Sequence, residues 1–205
     1  MNNKINHWEN VYKKKNHKVF SWYKSHLNKS LLFIDKIVKD KNKPIIDVGC
    51  GSSTLVDDLI EKGYNNISAN DISVSAINFS QSRLGQKSEN INWIIGDILK
   101  TDLSQKQYFL WHDRAVFHFL VNPNDRYCYI EKLLTSVKKK GFILIASFAH
   151  DGPEMCSGLP VIRYTPKTLT EELGDQFSLI RSGKEIHRTP LSFHQSFLYC
   201  LFQKN

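Results

Sequence analysis

The chain has 205 residues, 41% hydrophobic, 23% charged and 12% aromatic, with a formal net charge of +8. That length suits one sizeable domain, and twelve Phe, eight Tyr and four Trp exclude a disordered or low-complexity chain, because so much aromatic surface must be buried. No apolar run approaches the roughly 18–20 residues of a membrane helix, and the polar start Met1-Asn2-Asn3-Lys4 lacks the apolar stretch of a secretory signal, so a soluble cytoplasmic protein is expected.

Residues 1–43 are polar with a helical pattern: Leu27, Leu31, Ile34 and Val38 recur at spacings of three and four, behind an aromatic cluster of Trp8, Tyr12, Phe20, Trp22 and Tyr23. Pro44 opens Ile45-Ile46-Asp47-Val48, a buried strand entering the glycine turn Gly49-Cys50-Gly51-Ser52-Ser53. A helix follows with Leu55, Val56, Leu59 and Ile60 on one face and Gly63 as its stop. Residues 66–70 read as a strand and 73–84 as a helix capped by Ser73; 91–95 and 107–112 are the third and fourth strands. The next helix starts at Asn122-Pro123 with Asp125 in its first turn, and Lys138-Lys139-Lys140 are expected to close it, where cations complement the macrodipole. Residues 141–148 form an apolar, central fifth strand, and Thr165-Pro166 starts a helix that ends at Gly174. Two β-patterned stretches, 177–187 and 195–203, close the chain around Thr189-Pro190.

Five alternations of strand and helix demand a parallel sheet covered on both faces. Two final strands joined by a short turn must pair antiparallel. The expected fold is therefore α/β: a doubly wound, mostly parallel, seven-stranded Rossmann-like sheet with one antiparallel strand and helices on both faces.

Cysteines 50, 128, 156 and 200 stand apart and read as reduced thiols, and the eight histidines show no metal-ligand spacing, so no metal is expected. The charge excess is mostly lysine, with arginine scarce; the runs Lys13-Lys14-Lys15 and Lys138-Lys139-Lys140 read as a solvated basic face rather than a nucleic-acid surface.

The chemistry concentrates at the ends of the first three strands. Gly49-Cys50-Gly51 lets a ligand approach the backbone at a helix N-terminus, but a dinucleotide fingerprint needs a third glycine at position 54, which is Thr54. Asp71, about 20 residues on, sits where a carboxylate binds both ribose hydroxyls. Asp97, after the third strand, sits where one accepts the exocyclic amine of adenine. With Asp47, these carboxylates line one crevice at the carboxyl edge.

I-I-D-V-G-C-G-S-S at 45–53, N-D-I-S at 70–73 and G-D-I-L at 96–99 make the chain resemble class I S-adenosylmethionine-dependent methyltransferases over about residues 8–203. The likeness departs at Ser53, where many members have glycine. It implies S-adenosylmethionine as cofactor, with Asp47, Gly49, Gly51 and Ser52 at the methionine end, Asp71 on ribose, Ile72 packed on adenine, and Asp97 and the Ile98 backbone on the adenine edge; separately, Trp22-Tyr23 is a candidate lid over the cofactor, with simple aromatic packing as the alternative. It divides the chain into a helical cap over the cofactor site, 1–43, and a methyltransferase core, 44–205.

Asp113-Arg114-Ala115 with Asn122-Pro123-Asn124-Asp125-Arg126 further resembles thiopurine S-methyltransferases, departing at Ala115, where that family has glycine. Trp8-Glu9-Asn10-Val11-Tyr12 is similar to seven-strand protein-lysine methyltransferases. The expected activity is methyl transfer to a small-molecule nucleophile, a thiol among the candidates. The alternatives are a protein-lysine N-methyltransferase and a non-catalytic cofactor-binding module. Catalytic candidates are Asp113, Arg114 and His150, whereas His118 reads as a satisfied, half-buried histidine and Cys156 as inert.

Overall fold

A computed structural model of the chain describes residues 2–13 and 17–205; Lys14 and Lys15 of the first lysine run lie outside the described residues. Among the described residues, no helix is long and apolar enough to cross a membrane. Helices α1 (Asn2–Tyr12) and α2 (Asn28–Ile37) precede β1 (Ile45–Val48), α3 (Leu55–Glu61), β2 (Ile67–Asp71), α4 (Val74–Leu84), β3 (Ile91–Ile95) and β4 (Tyr108–Arg114). Then come α5 (Pro123–Ser136), β5 (Val137–Phe148), a small hairpin of β6 (Met155–Cys156) and β7 (Leu159–Pro160), α6 (Pro166–Leu173), β8 (Phe177–Arg188) and β9 (His194–Lys204).

Seven strands form one sheet in the order β3-β2-β1-β4-β5-β9-β8. The pairs from β3 through β5 are parallel, and β9 runs antiparallel to both neighbours, giving the expected single reversed strand. Leu31 and Ile34 of α2 and Leu55 and Leu59 of α3 pack into one core cluster. Tyr129 and Leu133 of α5 and Leu169 and Leu173 of α6 pack into the other, so both faces of the sheet are covered. Of segment 1–43, α2 is thus a wall of the core, while α1 packs beside α4.

The expected caps are present. Ser73 accepts from Ala76 N, Asn122 from Asn124 N, and Thr165 with Thr168 forms a reciprocal capping box.

The reading of Lys138–Lys140 as a helix end is corrected: α5 stops at Ser136, and these lysines are exposed residues of β5. Val137 is fully buried and pairs with Tyr108, which draws the chain into the sheet early. The cation at the helix terminus is Lys204, whose Nζ donates to the carbonyls of Leu134 and Val137. The β6–β7 hairpin turns on Ser157 and Gly158, at φ +49° and +77°, the backbone sign pattern of a type I′ turn.

Candidate functional site

β1 delivers the chain into the glycine turn, where Gly49 and Gly51 take φ of +62° and +52°. A Cβ on Gly49 would collide with the Val116 side chain, and one on Gly51 with the Tyr12 hydroxyl. The turn is held from β2: Asp71 accepts from Gly51 N at 2.8 Å through one oxygen and from Ser73 N at 2.8 Å through the other. Burial raises the Asp71 carboxyl to about 6 against the lowering effect of these backbone donors, and the Asp47 charge adds to the rise.

Beside this turn lies a cavity of about 340 Å³, within the range of small-molecule sites. Gly49, Asp71, Ile72, Gly96, Asp97 and Ile98 line it from the strand ends; Lys4, Trp8 and Tyr12 from α1, with Leu159 and Pro160 from β7, line it from above. α1 is fastened at both ends. Glu9 takes hydrogen bonds from the Ser73 and Ser75 hydroxyls and from Ser75 N at the start of α4, and Lys4 Nζ meets Asp125 of α5 at 2.7 Å. Burial opposes ionisation of Glu9, but its bonds from Ser75 and Ser73 outweigh that and hold the carboxyl below its ordinary range.

A smaller cavity of about 50 Å³ shares Trp8, Tyr12, Gly49, Ala115 and Phe119 with the first. Asp47, Ser53, His112, Arg114 and Cys156 also line it, among the rings of Trp22, Phe148 and Phe197. Asp47 is 3% exposed; one oxygen meets His112 Nδ1 at 2.7 Å, and the other is buried without a partner. His112 Nε2 meets Ser30 Oγ at 2.9 Å. Arg114 donates through Nη1 to the Trp22 carbonyl at 3.1 Å and through Nε to Tyr199 Oη at 3.3 Å, and lies 4.5 Å over the Phe197 ring. Its Nη2 is buried and unpartnered.

The structure therefore brings Asp47, Gly49, Asp71, Ile72, Asp97, Ile98, Trp22 and Arg114 to two adjoining cavities. Four other expected residues stand away from their walls. Gly51 lies behind the turn, engaged with Asp71. Ser52 offers its carbonyl to Arg83, and its neighbour Ser53 faces the smaller cavity instead. Asp113 is fully buried and accepts from Val116 N, Phe117 N and Tyr129 Oη, so it shapes the turn after β4 rather than facing an acceptor. Burial raises its carboxyl to about 6 despite those donors. His150 is exposed, and Asp151 beside it pairs with Lys184 at 2.9 Å.

His118 is fully buried rather than half-buried: its Nδ1 accepts from Phe148 N at 3.3 Å, its Nε2 is buried without a partner, and burial, helped by the Arg114 charge, drops its pKa to about 3. Arg126 braces α5 to Glu172 and to the carbonyls of Leu120 and Val121. Cys156 lines the smaller cavity with its thiol pushed up to about 11 by burial, which keeps it an inert wall. Lys4, Trp8 and Tyr12 join the site beyond the residues the motifs single out. Their spacing of four places them on one helical face, a signal present in the sequence.

A family profile for methyltransferase domains matches residues 39–189. The chain is 26% identical over 156 residues to EEF1A lysine methyltransferase 2 of Mus musculus, covering 69% of this chain and 64% of that protein. It spans 14% to 64% of the lengths of the curated relatives it matches. An S-adenosylmethionine-dependent methyltransferase from Anabaena variabilis superposes with a TM-score of 0.75 at 14% identity, over 99% of this chain and 96% of that one. The 1,6-didemethyltoxoflavin-N1-methyltransferase of Burkholderia thailandensis, solved with bound 1,6-didemethyltoxoflavin and S-adenosylhomocysteine, gives a TM-score of 0.69 at 17% identity, over 87% of this chain and 77% of that one. At these identities the two structures establish the shared fold.

Proposed function

The chain belongs to the methyltransferase-domain family, among the class I S-adenosylmethionine-dependent enzymes, and from that premise we propose that it methylates a small-molecule nucleophile, a thiol among the candidates. One observation carries the proposal: an aromatic-walled cavity lined by Asp47 and Arg114 adjoins a larger one lined by Asp71 and Asp97.

The residues present fit the cofactor. Asp47 keeps a buried oxygen free for a cationic or hydrogen-bonding ligand group, and the positive-φ glycine turn leaves no room for side chains beside it. Asp71 would accept from ribose hydroxyls, and Asp97 with the Ile98 backbone would read the adenine edge while Ile72 packs on the ring. Asp47, Gly49 and Ser53 would hold the methionine end, with Gly51 shaping the turn behind them. When bound, S-adenosylmethionine supplies an electrophilic methyl group on a sulfonium.

The chain's own part is positioning and the exclusion of water, which suffice for much of an in-line displacement. Trp8, Tyr12 and Leu159 roof the site, and Trp22, Phe148 and Phe197 wall the acceptor side. His118, kept neutral by burial, adds no positive charge there. The fixed Arg114 cation favours an anionic acceptor such as a thiolate and opposes an ammonium. A protein-lysine acceptor is the second reading, favoured by the likeness to EEF1A lysine methyltransferase 2.

Calorimetric titration tests the cofactor assignment: micromolar binding of S-adenosylmethionine and S-adenosylhomocysteine, with none of NAD, is expected. Turnover of small thiols with transfer of a labelled methyl group supports the first reading. Label appearing only in protein supports the second, and cofactor binding without any acceptor turned over leaves a binding module.

A further inference from the structure

β8 closes one end of the sheet. It pairs with β9 alone, and among the described residues the backbone of 178–188 makes no hydrogen bond to the backbone of any other segment. Its outer row of N–H and C=O groups is a template for one more strand. Past the irregularity at Ile180 the register runs unbroken from Arg181 to Arg188, a full strand length.

The charge beside this edge is unbalanced. Lys184 of β8 pairs with Asp151 and Glu185 with Lys24, whereas Arg181 has no ion-pair partner among the described residues. Arg181 faces α2 across a groove of about 110 Å³. Lys29, Leu32, Phe33 and Lys36 stand at spacings of three and four on α2 and line the groove with Arg181 and Ser182. Lys29 and Lys36 also lack ion-pair partners among the described residues, so three uncompensated cations surround an apolar floor in which Leu32 is 60% exposed. Gly183 seats one of them: a Cβ there would meet Lys29 Nζ at 3.3 Å. Gly183 does not take a positive φ, so the glycine supplies room over the strand rather than a special conformation.

We propose that the groove and the free edge of β8 together dock an acidic polypeptide segment in extended form. The segment pairs with the backbone from Arg181 to Ile186, sets carboxylates against Lys29, Lys36 and Arg181, and lays an apolar side chain on Leu32. No lining residue of the groove belongs to either cavity, so this reading stands apart from methyl transfer. A second copy of the chain is disfavoured because it would bring two such basic edges together on molecules of net charge +8. Nucleic acid would meet the cations but offers no amide ladder to the strand edge, and the one ring in the groove, Phe33, is buried and presents no stacking platform.

Fluorescence anisotropy with the full chain tests this. The probes are a fluorescein-labelled peptide alternating Glu and Val, its Lys-for-Glu counterpart, the acidic peptide N-methylated at alternate residues, and single-stranded oligouridylate. The acidic peptide should bind at micromolar strength and weaken as salt screens the exposed charges. The basic peptide should bind at least about tenfold more weakly, and N-methylation, which removes the pairing donors, should cost about tenfold. Lys36→Glu combined with Arg181→Glu reverses two exposed charges and should weaken the acidic peptide by about tenfold or more. Affinity for S-adenosylhomocysteine should be unchanged in that variant, which also shows it to be folded.

Failure of wild type to bind the acidic peptide at about 1 mM overturns the proposal without recourse to any variant. Equal binding of the acidic and basic peptides, or of the N-methylated form, overturns it as well. Tighter binding of oligouridylate, lost in the double variant, would make the groove a nucleic-acid surface instead. Dimerisation in sedimentation that the double variant alters would give the edge to a second copy. Loss of S-adenosylhomocysteine binding by wild type bears on the methyl-transfer reading alone.

Discussion

Asp47 and His112 face each other across β1 and β4 as register partners, joined by a 2.7 Å hydrogen bond and exposed by only 3% and 1%. A carboxylate only accepts, so the ring donates through Nδ1, while Ser30 Oγ meets Nε2. The pair aims the second Asp47 oxygen at the smaller cavity. His112→Ala leaves a buried carboxylate without its donor. The expected cost is about 1–3 kcal/mol of stability, read by urea unfolding, together with weaker binding of S-adenosylmethionine. His112→Asn, which can still donate, restores part of both.

The ribose contact proposed for Asp71 would give the site a pH dependence. Ribose hydroxyls would donate to the ionised carboxylate, so cofactor affinity should hold steady above about 6. Below that it should fall by about tenfold per pH unit. The stability of the free protein moves the other way. A carboxyl whose folded pKa is raised favours the folded state once protonated, so the folding penalty of Asp71 and Asp113 shrinks as pH falls below about 6 and is gone near the unfolded carboxyl value of about 3.9. Asp71→Asn should abolish the affinity step, and calorimetry from pH 5 to 8 checks it.

The two fastenings of α1 differ in strength. Lys4 and Asp125 side chains are 53% and 31% exposed, and an exposed pair contributes at most about 1 kcal/mol. Glu9 instead supplies a carboxylate to two hydroxyls and a backbone N–H at a helix start. Lys4→Ala should change cofactor affinity less than about fivefold, whereas Glu9→Ala should weaken it by about tenfold or more through loss of the roof. Dissociation rates of S-adenosylhomocysteine after rapid dilution separate the two.

How far the sequence revealed this site depends on the period of each signal. Strands end where glycine or aspartate interrupts an apolar run, so Asp47, Asp71 and Asp97 announce one edge of one sheet. Capping residues act within four positions, and Ser73, Asn122 and Thr165 are legible for that reason. Asp113 and His150 misled because position at a strand end says nothing of side-chain direction. The β4 end turns the Asp113 carboxylate inward onto Tyr129, while β5 ends with His150 already in solvent. The β6–β7 hairpin has strands of two residues, too short for any periodicity, and only Ser157-Gly158 marked it. Lys138–Lys140 leave the helical pattern because Val137 is buried in the sheet, a tertiary constraint with no local trace.

The same geometry separates two kinds of variant at these strand ends. His150→Ala removes an exposed ring and should leave kcat/KM and stability unchanged, within about 0.5 kcal/mol. Asp113→Ala strips three hydrogen bonds from a buried turn and should cost about 2–4 kcal/mol. Its Tm should fall well before any change in the pH profile of the folded fraction. Paired thermal melts and initial rates distinguish them.

Ala115 sits at φ +73° between Arg114 and Val116, lines both cavities and donates its N–H to the Ala146 carbonyl at 2.8 Å. An L residue in the left-handed region costs roughly 1–2 kcal/mol. Glycine takes that conformation without strain. Ala115→Gly relieves the strain but raises the entropy of the unfolded chain, a cost of about 0.4–1 kcal/mol. The net expectation is a gain of up to about 1.5 kcal/mol in urea unfolding with the Arg114 direction preserved, and hence unchanged cofactor affinity. A loss of stability there would mean that the methyl group contributes packing to the cavity wall that outweighs the backbone term.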